Sequence, residues 1–595
     1  MDSGHLAVRF AASAAAHASR PATRVGVGDG WTVRTYAELA ADVRRLAARM
    51  VAWGLEPGDR VAIFAPNLPE WTLTDLACAT AGLVSVPLYD TSTSDQARHI
   101  LADSGCRTVF VAGADELGRV VAVRDQLPAL ERVVSFDAVP DGEGVTTLAD
   151  EIAAAPADES AVDARLAAAR AHDIATVIYT SGTTGEPKGV MLTHRGFTYQ
   201  VDVLNDYFDL RDDDVSLCFL PLSHALERAW TYMVLDNGAL NTYVPDPRTV
   251  PEAMVRAQPD LLVSVPRLYE KVYLAAQDKV SSSKLKQAVM RWALGVGTAY
   301  HRAVDAGERP GSYLALRFRV ADRLVLKSVR DAMGGPKKVL ASGGAPLRRD
   351  VEEFFFACGL LVLQGYGLTE TSPLLSFPSP TAHRFGTVGR VVDGGEVRLG
   401  EDDEIWYRGP NVMAGYWNKP AETAEVLVDG WLRTGDVGRL DADGYLTITD
   451  RIKDLIVTSN GKNIAPSSIE GLLASDPLFE HTLLLGDNRP YLTLLVAPSL
   501  PHLEHIGHQL HLTWSHRDEL LGHPAILDEL KRRVTALTAK LASYEQIRDL
   551  RLLIEDFTLE NGLLTPTLKV KRKEVERRFA RLVEEMYERS GRARA

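Results

Sequence analysis

A chain of 595 residues is longer than one hydrophobic core can serve, so two or more domains are expected. With 46% hydrophobic and 24% charged residues the composition is that of a folded globular protein, and a net charge of −13 argues against nucleic acid as a partner, because phosphate binding needs a positive face. The four cysteines, Cys78, Cys106, Cys218 and Cys358, lie far apart without a C-x-x-C pair, which disfavours a disulfide framework or a zinc site and fits a reducing, cytoplasmic setting.

The N-terminus, Met1 to Pro21, is rich in alanine but interrupted by His5, Arg9, His17 and Arg20, so no signal peptide is read there. No apolar run approaches the length of a membrane span. Peripheral membrane contact and oligomeric state stay open. The pattern Thr35-Tyr-Ala-Glu38 predicts a capping box. Leu39, Val43, Leu46 and Met50 follow at helical spacing, and Gly54 can end the helix. Strands are predicted at Arg60–Phe64, Gly82–Leu88 and Thr108–Ala112, with helices between them, which implies parallel sheets covered by helices. Residues 150–172 read as helical surface, and Ile174–Tyr179 as a buried strand. From about Val388 to Ile448 short strand-like pieces such as Glu404–Arg408 and Gly444–Ile448 predict a small β subdomain. Beyond Asp450 a smaller α+β unit is expected, ending in a basic helix whose Val575, Phe579, Leu582 and Met586 share a packing face.

The loop after Tyr179, Thr180-Ser-Gly-Thr-Thr-Gly-Glu-Pro-Lys188, concentrates hydroxyls, glycines and one lysine. Glycines let backbone N–H groups close on an anion, Thr180, Ser181, Thr183 and Thr184 add donors, and Lys188 adds a mobile positive charge. This reads as a triphosphate clamp in which Gly182 and Gly185 supply bare backbone. It is not a Walker A loop, because Pro187 rather than glycine precedes Lys188. The alternative is a Gly/Ser/Thr-rich surface turn.

Four further motifs follow in order. Gly343 and Gly344, before Ala345, would let a flat ring approach the backbone after the strand Lys338–Leu340. In Gly365-Tyr366-Gly367, an aromatic plate flanked by bare backbone suits stacking on adenine. Thr369 offers a donor to phosphate, and Glu370 is a hard oxygen ligand suited to Mg²⁺, or else a helix-cap carboxylate. Asp436 is an acceptor suited to two ribose hydroxyls, and Arg451 can supply matching donors, unless the two form a plain surface pair. Near the end Pro566 sets a turn just before Lys569, from which a lysine can reach into a cleft.

In this order and spacing, Ser181–Gly185, Tyr366–Glu370, Thr434-Gly-Asp436 and Lys569 resemble the adenylate-forming superfamily of acyl-CoA synthetases, luciferases and peptide-synthetase adenylation domains, over residues 20 to 575. Val86–Thr91, Leu220–Arg228 and the ending Leu-Thr-Pro-Thr-Leu-Lys569 are similar to the long-chain fatty acyl-CoA synthetases. Leu568 stands where many branches have glycine. The resemblance implies an α/β fold: a large N-terminal domain of two helix-flanked sheets plus a small β-barrel-like subdomain (residues 1–451), and a small mobile α+β C-terminal domain (452–595) with a hinge at Lys453.

It also implies two half-reactions. A fatty carboxylate attacks the α-phosphate of ATP with Mg²⁺ held by Thr180 and Glu370. Coenzyme A then takes the acyl group and AMP leaves. Lys569, Glu370 and Thr183 would neutralise charge in the first step. The C-terminal domain would then rotate, bringing the loop Ser459–Ile464 to the thiol, with Gly461 making room for pantetheine. His224 lies where the family places a residue near the acyl carboxylate, or is a core histidine bonded to backbone. Trp230 is a tunnel gate or plain packing. The alternative acceptor is a carrier protein, as in fatty acyl-AMP ligases. No Asp occurs between Pro221 and Trp230, which weighs against an amino acid substrate. His502, His505, His508 and His511, with His516, recur at a spacing that could place two on one metal, or belong to a surface insertion.

Overall fold

The computed structural model describes residues 4–27, 30–138, 144–180, 187–459, 462–558, 561–565 and 570–592. The capping box forms as the sequence predicts: Thr35 Oγ1 accepts from the Glu38 amide, Glu38 Oε2 accepts from the Thr35 amide at 2.8 Å, and the helix runs Tyr36–Ala52. Gly54, just beyond it, takes φ +77°, the left-handed geometry that ends helices.

The chain divides into two units. The first comprises Met1–Arg398, Trp406–Thr434 and Leu440–Thr447; the second Leu399–Ile405, Gly435–Arg439 and Ile448–Ala595. Two sheets build the first unit. In one, strands Val362–Gln364, Val339–Ser342, Leu261–Ser264, Val215–Cys218, Leu240–Tyr243 and Pro21–Val27 lie side by side in parallel, and Gly30–Thr35 closes the edge as an antiparallel hairpin. In the other, Ile174–Thr180, Val84–Leu88, Arg60–Phe64, Thr108–Val111, Arg132–Ser135 and Val145–Thr147 are parallel neighbours. Strands such as Val84–Leu88 are buried at every position, as a parallel sheet covered on both faces requires.

One element departs from the β–α alternation. Ile174–Thr180 is followed directly by strand Lys188–Thr193, antiparallel to it, and Gly415–Tyr416 pairs antiparallel with that second strand. The glycine-rich segment therefore joins two strands that pair antiparallel with each other. Thr180 and Lys188, the strand residues on either side of it, face each other in register. The stretch 150–172 holds two short helices, ending Leu148–Ala153 and spanning Ser160–Ala168.

Arg228 fixes one helix of the first unit in place. It sits on Ala225–Asp236, is 1% exposed, and pairs with Asp75 on the helix Pro69–Thr80. Its remaining donors reach Ser85 Oγ (2.6 Å) and Thr176 Oγ1 (2.7 Å), both on strands of the second sheet, and its Nε lies 2.8 Å from Tyr232 Oη. Burial pulls its pKa down, but Asp75 and Tyr232 outweigh that and leave it above the ordinary value. A buried charge persists only with such partners.

The second unit centres on strands Phe479–Leu485, Leu492–Pro498 and Ile547–Leu552, the first pair antiparallel and the second parallel. Side chains alternate between its faces. Leu484, Leu494, Val496 and Leu550 pack with Ile469, Leu503, Ile526 and Leu530, while Leu483, Leu485, Leu495 and Ala497 pack with Val575 and Met586. The expected terminal helix is two, Arg572–Arg578 and Ala580–Arg592, and its apolar face is the packing face.

Candidate nucleotide and acyl-binding site

Strands Val339–Ser342 and Val362–Gln364 are parallel neighbours, with Ser342 opposite Gln364. The loops that leave their carboxyl ends, Gly343-Gly344-Ala345 and Gly365-Tyr366-Gly367, therefore emerge side by side. That edge of an open parallel sheet is where ligands bind in doubly wound folds. The glycines are required by close approach. A Cβ on Gly367 would lie 1.7 Å from the Pro373 carbonyl oxygen, and one on Gly365 would lie 2.5 Å from the Phe377 ring. Gly344 takes φ +79°. Gly343 is buried against Leu226, in the first turn of the helix that begins after His224.

Thr369 and Glu370 lie in a single 3-10 turn, Thr369–Thr371, rather than at a helix cap. Two side chains from elsewhere brace the segment behind it. Asn411 donates to the carbonyls of Thr371 and Leu374, each at 2.6 Å, and Gln200 Nε2 donates to Leu374 O at 2.9 Å. The Glu370 carbonyl accepts from the Met413 amide at 2.8 Å. Its carboxylate Oε1 accepts from the Tyr416 hydroxyl at 2.9 Å, and among the described residues none hydrogen-bonds Oε2. Tyr416 belongs to the strand paired with Lys188–Thr193, and the Lys188 ammonium lies 5.2 Å from its ring centroid. Burial and the neighbouring Glu370 hold the Tyr416 phenol well above its ordinary pKa, so it is a neutral donor. The structure thus brings Lys188, Tyr416 and Glu370 into one row at the end of the strand pair where Thr180 faces Lys188. Tyr416 and Asn411 went unread in the sequence; the pair Tyr416-Trp417 after Gly415 was the available signal.

His224 is half-buried and caps the helix Ala225–Asp236, its Nδ1 accepting from the Leu226 amide at 3.2 Å. Trp230 is packing: it is buried in the main core, and its Nε1 donates to Ser216 Oγ at 3.1 Å. Next to Arg228, Glu227 is fully buried. Its Oε2 accepts from the Leu220 amide at 3.1 Å, Oε1 has no hydrogen-bond partner among the described residues, and burial pushes its pKa up to about 8.

In the second unit Arg451 Nε donates to Asp436 Oδ1 at 2.8 Å, with Asp436 buried and Arg451 half exposed. Lys453 lies in the turn Ile452–Asp454. Ser181, Gly182, Thr183, Thr184, Gly185, Gly461 and Lys569 fall outside the described residues. Of the histidine series, His502 lies 2.9 Å from Ser499 Oγ, His505 bonds Gln509 at 2.8 Å, and His508 packs on Trp514 at 4.9 Å. Among the described residues no group of three or more His, Cys, Asp or Glu side chains could hold a metal ion.

Residues 10–417 match the family described as AMP-binding enzyme, and residues 453–591 match the AMP-binding enzyme C-terminal domain. The chain belongs to the AMP-binding enzyme family. Among curated AMP-binding relatives it is similar to the long-chain-fatty-acid–CoA ligase FadD15 of Mycobacterium tuberculosis, 35% identical over 570 residues that cover 94% of this chain and 92% of the relative. It is also similar to the peroxisomal long chain acyl-CoA synthetase 7 of Arabidopsis thaliana, 30% identical and covering 93% and 81%. The fold matches the A domain of a carboxylic acid reductase from Segniliparus rugosus, solved with AMP and a co-purified carboxylic acid, at a TM-score of 0.76 and 22% identity over 98% of this chain and 94% of that one. A Mycobacterium tuberculosis fatty acyl CoA synthetase matches at a TM-score of 0.63 and 21% identity over 98% and 100%.

Proposed function

We propose that this AMP-binding enzyme is a long-chain fatty acid–CoA ligase. The observation that carries the reading is its 35% identity, across 94% of its length, to a ligase of that name. In the first half-reaction a carboxylate oxygen attacks the α-phosphorus of ATP and pyrophosphate leaves. In the second, the coenzyme A thiolate attacks the acyl carbonyl and AMP leaves.

The first step brings an anion onto a polyanion, so charge stabilisation governs its rate. Lys188, the glycine-rich segment from Thr180 to Gly185 and Lys569 supply positive charge and donors. The adjacent loops of Gly343–Ala345 and Gly365–Gly367 present backbone and the Tyr366 ring to adenine. Asp436 takes the ribose hydroxyls, with Arg451 holding its carboxylate. Glu370 and Thr180 are hard oxygen donors of the type Mg²⁺ takes, and the Glu370 Oε2 has no hydrogen-bond donor among the described residues. Bound there, the cation would withdraw charge from the triphosphate. Tyr416, by engaging Oε1, sets which carboxylate oxygen remains available. His224, held by its own helix start, and Gly461 are assigned to the acyl carboxylate and to pantetheine.

The test is incubation with MgATP and fatty acids of graded length, with and without coenzyme A, measuring AMP and acyl-CoA separately. Acyl-CoA equal to AMP is expected. Acyl-adenylate that accumulates unchanged in the presence of coenzyme A would overturn the reading in favour of transfer to a carrier protein.

A further inference from the structure

The helix Ser312–Ala321, continued by the π-helical turn Asp322–Leu326, breaks the rule for a surface helix, which buries one apolar face and exposes a polar one. Its inner face is apolar as expected. Leu314, Phe318 and Val325 pack against a core of the first unit, Phe318 stacked on Tyr300 at 3.9 Å. Its outer face is apolar as well. Tyr313, Leu316, Val320 and Leu324 follow at three- and four-residue steps and are 74%, 60%, 46% and 61% exposed. Scattered apolar surface residues need no explanation, but a continuous stripe marks a contact.

The charges beside that stripe are of one sign. Residues 309–324 contain Arg309, Arg317, Arg319 and Arg323 against Asp322 alone, in a chain whose net charge is −13. Asp322 is itself tied to Arg330 at 2.5 Å. Arg309, Arg319 and Arg323 are exposed and carry no ion pair among the described residues. Arg317 lies over the rings of Trp292 and Tyr313, at 5.9 and 5.5 Å, so that cation and aromatics share the same edge. Apolar residues on one line with arginines and interfacial aromatics beside them form the pattern by which a helix lies in a lipid headgroup layer. Among the described residues no helix is long and apolar enough to cross a membrane, so attachment of this kind would be to a surface.

We propose that the face formed by Tyr313, Leu316, Val320 and Leu324, with Arg319 and Arg323, docks on a bilayer bearing anionic headgroups. Its value to the enzyme rests on the reading above, since a long fatty acid partitions into that phase. The docking itself does not depend on catalysis and is measured without substrate.

The test is co-sedimentation of the full chain with phosphatidylcholine vesicles, with and without phosphatidylglycerol. Binding is expected to the vesicles that contain phosphatidylglycerol. Each basic residue near such a surface contributes about fivefold to partitioning, so Arg319→Glu with Arg323→Glu is expected to lower it at least about 25-fold. Leu316→Asp with Leu324→Asp is expected to abolish it, and added salt to weaken it. The same charge change at Arg577 and Arg581, exposed residues of the second unit, should leave binding intact. Far-UV circular dichroism should be unchanged in all variants, which shows that they are folded. Equal binding to both vesicle types, or binding unaffected by the leucine and arginine variants, would overturn the proposal. So would sedimentation showing that the stripe pairs two copies of this chain while vesicles go unbound.

Discussion

The Tyr416 hydroxyl donates to Glu370 Oε1 at 2.9 Å, linking the 3-10 turn of one motif to a strand residue 46 positions after Glu370. A hydrogen bond to a charged group contributes about 1.5–3 kcal/mol. Tyr416→Phe is therefore expected to lower kcat/KM for MgATP about ten- to hundredfold while leaving KM for the fatty acid in place. Glu370→Gln, which removes the carboxylate charge itself, should cost more. Initial rates of pyrophosphate release at varied MgATP decide the matter; a Tyr416→Phe enzyme with wild-type rates would remove Tyr416 from the site.

Arg228 and Asp75 make a second test, of stability rather than activity. Removing one partner of a buried pair strands the other charge, at a cost of about 3–5 kcal/mol. Arg228→Met should lower the denaturant midpoint accordingly. The double variant Arg228→Met, Asp75→Asn should lose less than the two single losses combined, because the pair is broken only once. An Arg228→Met protein as stable as the wild type would mean that the network on Thr176, Ser85 and Tyr232 does not hold this helix.

Glu227 and Glu352 give a pH dependence with a definite sign. Burial pushes each up to about 8 from an ordinary 4.5. On unfolding each carboxyl returns to its ordinary value, so between pH 4.5 and about 8 the unfolded chain binds fewer protons than the folded one. Stability then falls as pH rises through that window, by at most about 1.4 kcal/mol per pH unit for each group. Glu227→Gln keeps the shape without the charge and should make that slope shallower. Unfolding midpoints collected across the window would contradict this if the variant and wild-type slopes coincided.

On the proposed reading, Lys569 serves the first half-reaction and not the second. Lys569→Ala is expected to reduce adenylation about a hundred- to thousandfold, the scale for losing one positioned charge-stabilising group. Thioester formation from supplied acyl-adenylate should be largely retained. Equal loss of both would contradict the assignment of this lysine to the first step.

Local pattern carried much of the fold. Arg60–Phe64 and Glu404–Arg408 are strands with the limits their composition predicts, and the Thr35–Glu38 box is satisfied in both directions. These features depend on neighbours within a few residues. Partner choice over long distances was not legible. Nothing local in Lys188–Thr193 says that it pairs back on Ile174–Thr180 instead of opening a helix. Nothing in Asn411 announces that its amide will hold carbonyls 40 and 37 residues earlier. Trp230 shows the converse limit. An indole among apolar residues has the same pattern whether it gates a tunnel or fills a core, and only its bond to Ser216 distinguishes them.

The three-stranded sheet of the second unit is shielded on each side by helices from its own stretch of polypeptide. A segment with that self-sufficiency is a natural cassette for recombination. A ligase lineage could trade this tail among paralogues intact, because it carries its own core with it.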